Sequence, residues 1–185
     1  VFVIRTIVLD GMKNLNPLGT WLSNFFCKKN EEYAYFRLED MHISPCRSCG
    51  ACGHKTPGRC VIEDDMPEIL RGYATCDVVI MLTPITFGGY SSLLKKAVDK
   101  LALTALPLYM VKNGHLLHPS RYGSKTLIVI GVVEKEIPAQ VGCFKTLVEN
   151  NALNMLSSAK ALIYRSLEDL KVIETEVANA LMEVI

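Results

Sequence analysis

The stretch DVVIMLTPITFGGYSSLLKKAVDKL, residues 77–101, passes from a continuous apolar run through a glycine-paired turn into a segment of helical period. The run 78–83 carries neither charge nor alternation, which suits a strand buried on both faces. Beyond the turn, Leu94, Ala97, Val98 and Leu101 fall on one helical face, and Lys95, Lys96, Asp99 and Lys100 are expected to face water. A buried strand feeding an amphipathic helix is the repeating half of a parallel sheet covered by helices.

The pattern extends in both directions. Strands are predicted over 3–9, 33–38, 78–83, 126–132 and 161–165. Asn16 with Pro17 opens a helix whose apolar face is Leu18, Trp21, Leu22 and Phe25. Asp65 with Glu68 forms a capping box for a second helix, with Met66, Ile69, Leu70 and Tyr73 inward. A further helix is expected over 140–157. The last starts at Ser166, capped with Asp169, and runs through Ile173, Val177, Leu181 and Val184. The fold class is therefore α/β: a three-layer sandwich around a five-stranded parallel sheet, in one domain of 1–185. Residues 102–124 fit no regular element and read as a lid or dimer arm.

Composition excludes several classes of partner. The 185 residues hold 20 basic and 19 acidic side chains, a net charge of +1, so no global field favours nucleic acid or an anionic membrane. No apolar run reaches the roughly 18 residues of a membrane span. The opening VFVIRTIVLD reads as a strand rather than a targeting segment, and a soluble protein of the reducing cytoplasm is expected.

In an open parallel sheet, ligands bind beyond the carboxyl ends of the strands. The loops at that edge are 10–16, the cysteine loop 45–60, 84–91 and 133–140. In the third, Pro84 sets the turn, Phe87 offers an aromatic face, and Gly88 and Gly89 let backbone amides approach a planar ligand. An ordinary strand-to-helix turn is the competing reading. The first loop could cradle a phosphate on its amides, with Asn14, Asn16 and Thr20 assisting, or be only a capped helix start. No dinucleotide fingerprint, Walker lysine loop, zinc-protease motif or G-x-S-x-G is present. The four lone histidines, His42, His54, His115 and His118, read as surface or structural groups, with His54 inside the cysteine loop.

The cysteine loop, CRSCGACGHKTPGRC, spaces Cys46, Cys49, Cys52 and Cys60 as C-x2-C-x2-C-x7-C. Thiols at every third residue with glycines between them can turn toward one centre, as an iron-sulfur cluster requires. Zinc, free reduced thiols and disulfides stand as alternatives. Cys49 and Cys52, with Arg47 nearby to favour a thiolate, could also serve as a redox sensor. Cys27, Cys76 and Cys143 are expected to be packing residues.

The run CRSCGACGHKTPGRCVIEDDM, then TPITFGGYSSLLKKAVDKL and HLLHPSRY, resembles the flavodoxin-like NADPH-dependent FMN reductase family, in its iron-sulfur flavoprotein branch. The resemblance implies strand order 2-1-3-4-5 and FMN at the strand ends, with NAD(P)H as reductant. Pro84, Ile85, Thr86, Phe87, Gly88 and Gly89 would line the flavin ring. The phosphate would lie on the loop from Gly11 through Met12, Asn14, Asn16 and Gly19 to Thr20. Cys46, Cys49, Cys52 and Cys60 would hold a 4Fe-4S cluster and exchange electrons with the flavin, in a homo-oligomer serving a small-molecule or protein electron acceptor. This chain departs from the family's Gly-Ser-x-Arg phosphate loop, having Gly11, Met12, Lys13 and Asn14 instead. That departure motivates the alternative of a non-catalytic flavodoxin-like binding module with structural or zinc-binding thiols.

Overall fold

The computed structural model describes residues 5–29, 31–165 and 170–183. In chain order the elements are β1 (Thr6–Asp10), α1 (Pro17–Lys29), β2 (Tyr33–Arg37), α2 (Ala51–His54), α3 (Met66–Thr75), β3 (Val78–Pro84) and α4 (Ser92–Lys100). A 3-10 turn (Leu101–Thr104) follows, then β4 (Met110–Lys112), β5 (His115–Leu117), β6 (Thr126–Val132), α5 (Pro138–Asn154), β7 (Ser158–Tyr164) and α6 (Leu170–Met182). The main sheet runs β2-β1-β3-β6-β7, all parallel. Counting only its own strands, that is the expected order 2-1-3-4-5.

Side chains of the central strands alternate between two cores, as the pleat requires. Ile7, Leu9, Val79, Met81, Leu127 and Val129 point to the face covered by Tyr73 of α3, Leu94 of α4 and Phe144 of α5. Val8, Ile80, Leu82, Ile128 and Ile130 point to the other, beneath Leu18, Leu22 and Phe26 of α1 and Ile173, Val177 and Leu181 of α6. Each of these fully enclosed side chains contributes about 1.5–3 kcal/mol by burial. Among the described residues no helix is long and apolar enough to cross a membrane.

Several expectations are corrected. On α1 the inward aromatic is Phe26 at 0 % exposure, with Phe25 only packed at its margin. Strand β7 starts at Ser158, earlier than predicted. The cap expected at Ser166 and Asp169 lies outside the described residues, as do positions 3 and 4 of the first strand. The capping box at Asp65 does not form: its carboxylate accepts instead from the His42 amide at 2.6 Å.

Lys100 is enclosed rather than solvated, and its ammonium pairs with Asp64, the two side chains being 1 % and 0 % exposed. Asp64 also accepts from the amides of Ser44 at 2.9 Å and Met66 at 3.2 Å. One carboxylate therefore joins the residue before the cysteine loop to the helix after it, and both to α4. Burial alone pushes the Asp64 carboxyl up, but Lys100 and the two amides outweigh it and hold it below the ordinary carboxylate range.

Segment 102–124 is not irregular throughout. Asn113 at φ 51° and Gly114 at φ 79° form a tight turn between β4 and β5, the left-handed pair that a two-residue hairpin demands. His118 Nδ1 lies 2.7 Å from the Leu108 carbonyl, so it donates there, and its ring packs on Tyr109 with centroids 4.6 Å apart. His118 is thus structural.

Candidate functional site

The loop leaving β3 closes on itself. Thr86 N donates to the Gly89 carbonyl at 3.0 Å and Gly89 N to the Thr86 carbonyl at 2.9 Å, with Phe87 at φ 50° and Gly88 at φ 78° between them. Positive φ at both central residues is the type I′ pattern, normally filled by Asn-Gly or Gly-Gly. An aromatic in the left-handed region costs roughly 1–2 kcal/mol, yet Phe87 is 92 % exposed and gains no packing from it. Gly88 is there for space as well as for conformation: a Cβ on it would stand 2.8 Å from the Cys143 Cβ of α5.

Of the residues expected to line a ring, Thr86 and Phe87 are exposed at the rim. Ile85 is not fully among them, since its side chain packs over Gly131, where a Cβ would meet Ile85 Cδ1 at 2.8 Å. Pro84 ends β3 and is half-buried. The N–H groups of Phe87 and Gly88 take no part in the loop's own hydrogen bonds among the described residues.

The loop joining β1 to α1 lies beside this turn, tied to it by a residue the sequence reading missed. Ser91 caps α4 by accepting from Leu94 N at 3.2 Å and donates its hydroxyl to the Gly11 carbonyl at 2.8 Å. Its signal was an ordinary one, a serine just before a helical apolar period. Asp10, another missed residue, is 1 % exposed and gathers Met12 N at 2.9 Å, Asn16 Nδ2 at 2.9 Å and Tyr35 Oη at 2.6 Å. Burial and the Asp10 carboxylate push the Tyr35 phenol well above its usual range, so it remains a donor.

These bonds correct the simple phosphate cradle. Gly19 N donates to Asn16 Oδ1 at 2.6 Å and Thr20 Oγ1 to the Asn16 carbonyl at 3.3 Å. Gly19 is buried against Tyr35, whose hydroxyl occupies the space a Cβ would need. Asn14 N donates to Glu39 Oε2 at 2.9 Å, and the same carboxylate pairs with Arg37 at the end of β2. The loop thus already receives an oxyanion, supplied by the chain itself. The Arg37 Nε is enclosed without a partner among the described residues. An FMN phosphate fits this donor set if it takes the place of Glu39.

The four expected metal ligands share one loop. Cys46 and Cys49 are exposed, Cys52 and Cys60 half-buried. Backbone amides approach two of the sulfurs, Ser48 N to Cys46 Sγ at 3.5 Å and Ile62 N to Cys60 Sγ at 3.4 Å. N–H groups aimed at sulfur are among the devices that tune iron-sulfur centres. The Cys52 thiol is pushed up by burial first, and less by the neighbouring Cys46, Cys60 and Cys49. Yet among the described residues no three Cys, His, Asp or Glu side chains are gathered closely enough to hold a metal. The donor chemistry fits a cluster, and the loop would have to draw inward around it. Of the other thiols, only Cys76 is buried, whereas Cys27 and Cys143 are exposed rather than packed.

A sequence profile described as NADPH-dependent FMN reductase matches residues 16–134. An iron-sulfur flavoprotein of Methanocaldococcus jannaschii is 35 % identical over 77 residues, 42 % of this chain and 39 % of that protein. The match therefore spans about two-fifths of the relative's length. Among solved structures, an NAD(P)H:quinone oxidoreductase from Methanothermobacter marburgensis superposes with a TM-score of 0.63 at 10 % identity, covering 96 % of each chain. An FMN-dependent NADH-azoreductase from Bacillus anthracis, solved with FMN, gives 0.62 at 15 % identity over 97 % of this chain and 98 % of its own. At such identities the two structures speak to the fold.

Proposed function

The chain belongs to the NADPH-dependent FMN reductase family, and from that premise we propose that it is an FMN-dependent NAD(P)H oxidoreductase or electron-transfer flavoprotein. The observation that carries the reading is Phe87, an exposed aromatic held in a strained turn at the carboxyl edge of the sheet. Bound FMN supplies hydride acceptance from a reduced nicotinamide and release of electrons to an acceptor. The protein's part is position and exclusion of water. Phe87 covers one side of the ring, and the Phe87 and Gly88 amides are available to its polar edge. Asn14 N and Arg37 receive the phosphate, with Arg37 standing in for the arginine absent from the first loop. Tyr35 and Asn16 hold Asp10 as a hydrogen-bonded hub beneath.

Cys46, Cys49, Cys52 and Cys60 would ligate an iron-sulfur cluster, supplying one-electron exit from the flavin to a small-molecule or protein acceptor. The family match and the likeness to iron-sulfur flavoproteins support this part. The hairpin of β4 and β5 presents Leu108, Tyr109, Val111 and Leu116, all more than half exposed, which supports a homo-oligomer through that arm. Anaerobic preparation followed by flavin, iron and sulfide inventory tests both halves. Stoichiometric FMN bleached by NADH or NADPH is expected. Flavin without iron removes the cluster, and failure to take up FMN favours the non-catalytic binding module, to which the self-occupied first loop points.

A further inference from the structure

We propose that the cavity between the end of the cysteine loop and α3 is a second small-molecule site, one that takes a flat aromatic phenol of one or two rings. The cavity measures about 440 Å³, within the range of small-molecule sites, and none of its lining residues comes from the flavin loops 10–16, 84–91 or 133–140. Four stretches of chain meet in its wall: the end of the cysteine loop with Ile62, α3 with Met66, Leu70 and Ala74, the 3-10 turn with Leu103, and the loop of Tyr122. The walls are braced from behind. Asp64 pairs with Lys100 and accepts from the Ser44 and Met66 amides, which pins the end of the cysteine loop to the head of α3. Thr56 Oγ1 donates to the Arg59 carbonyl at 2.9 Å and Arg59 N to the Thr56 carbonyl at 2.8 Å, closing the turn ahead of Cys60. Arg121 N donates to the Thr104 carbonyl at 2.8 Å and ties the loop of Tyr122 to the 3-10 turn. Walls fixed in this way leave apolar surface for a ligand to cover.

The lining side chains select the chemistry of the ligand. Tyr122 offers a ring, the Met66 thioether favours contact with an aromatic edge, and Ile62, Leu70 and Leu103 complete an apolar surround. Arg59, Arg71 and Glu63 line the same space, and among the described residues none of the three makes an ion pair. A guanidinium only donates and a carboxylate only accepts, so the one group that answers both is a hydroxyl. The Glu63 charge opposes a ligand carboxylate there. An aliphatic alcohol would forgo the contacts that an aromatic face makes with Tyr122, Met66 and the guanidinium planes. A phenol meets both demands, and its site stands apart from the flavin chemistry proposed above.

The test uses naphthol as probe, with naphthoate and the saturated alcohol decahydronaphthol as controls, each titrated calorimetrically into the purified protein at neutral pH. Naphthol is expected to bind at or below about 1 mM, a range open to so small a ligand. Both controls should bind at least about fivefold more weakly, the saturated alcohol for want of a ring and naphthoate for its charge. Ala74→Phe, filling the cavity from α3, should abolish naphthol binding and leave flavin uptake unchanged. Glu63→Gln, at an exposed position, should tighten naphthoate at least about fivefold by removing the opposing charge, and it carries the test if Ala74→Phe does not fold. Phe87→Asn, altered at the flavin turn, should bind naphthol as the parent does. Absence of binding to the parent overturns the proposal, as does a control that binds as tightly as naphthol. Undiminished binding by Ala74→Phe, unchanged naphthoate affinity in Glu63→Gln, or loss of naphthol in Phe87→Asn overturns it equally. Flavin content, measured alongside, reports the separate fate of the flavin site.

Discussion

Replacing Lys100 with Met leaves the Asp64 carboxylate enclosed with only the Ser44 and Met66 amides to hold it. Removing one partner of a buried pair costs about 3–5 kcal/mol, whereas replacing both is often close to neutral. At 2–4 °C of melting temperature per kcal/mol for a chain of this size, Lys100→Met should melt about 6–20 °C lower. Asp64→Asn combined with Lys100→Met should recover at least half of that loss. Calorimetry gives the melting temperatures, and limited trypsin digestion should show earlier cleavage at Arg47, Lys55 and Arg59 in the single variant, since Asp64 ties the two ends of their loop. The pH limb follows from the carboxyl being held low in the fold. Its stabilisation is complete above the unfolded value of about 3.9 and is lost as pH falls below it through the lower folded value. The double variant should lack that acid loss. A single variant melting with the parent, or a double variant no better than the single, would refute the clasp.

Phe87→Asn should raise stability by about 1 kcal/mol, since Asn tolerates the left-handed turn, while weakening FMN retention; unchanged flavin affinity in equilibrium dialysis would remove Phe87 from the site. Gly88→Ala should destabilise by more than about 1 kcal/mol through both its φ and the 2.8 Å approach to Cys143, whereas Gly89→Ala, whose nearest neighbour would be the Thr86 carbonyl at 3.6 Å, should be milder in the same denaturant titration. Glu39→Gln should tighten FMN but not riboflavin in fluorescence quenching, because it removes the negative charge that competes with a phosphate for Asn14 N and Arg37. In alkylation mapped by mass spectrometry near pH 8, Cys46 and Cys49 should label early. Cys76, whose thiol burial pushes to about 11, should resist until unfolding.

The sheet was legible because parallel strands covered on both faces must be apolar throughout, and VVIML and LIVIG say so directly. Lys100 was misplaced for an instructive reason: it lies at the margin of the apolar face, one turn from Ala97, and its charge outweighed that position. The β4–β5 hairpin carried its own signal, Asn113-Gly114, yet its three-residue strands are too short to show alternation. Phe87 and the Gly-Gly pair are legible as a turn at the carboxyl edge of the sheet, but the left-handed aromatic is a fact of backbone geometry. Asp10 and Glu39 escaped because they meet Tyr35 and Asn14 across β1 and β2, and register is invisible before the sheet is built. The cysteine spacing marks four candidate donors without fixing their closure, and among the described residues they are not gathered.

The Ser91 hydroxyl on the Gly11 carbonyl fastens the turn after β3 to the loop after β1 before any ligand arrives. The two halves of the rim therefore behave as one preset mould, and the entropy of arranging them falls in folding rather than in binding. A dephosphorylated analogue meets the same contour as its phosphorylated form. Discrimination between them then reduces to electrostatics at one end, which ionic strength can dial without altering the shape presented at the other.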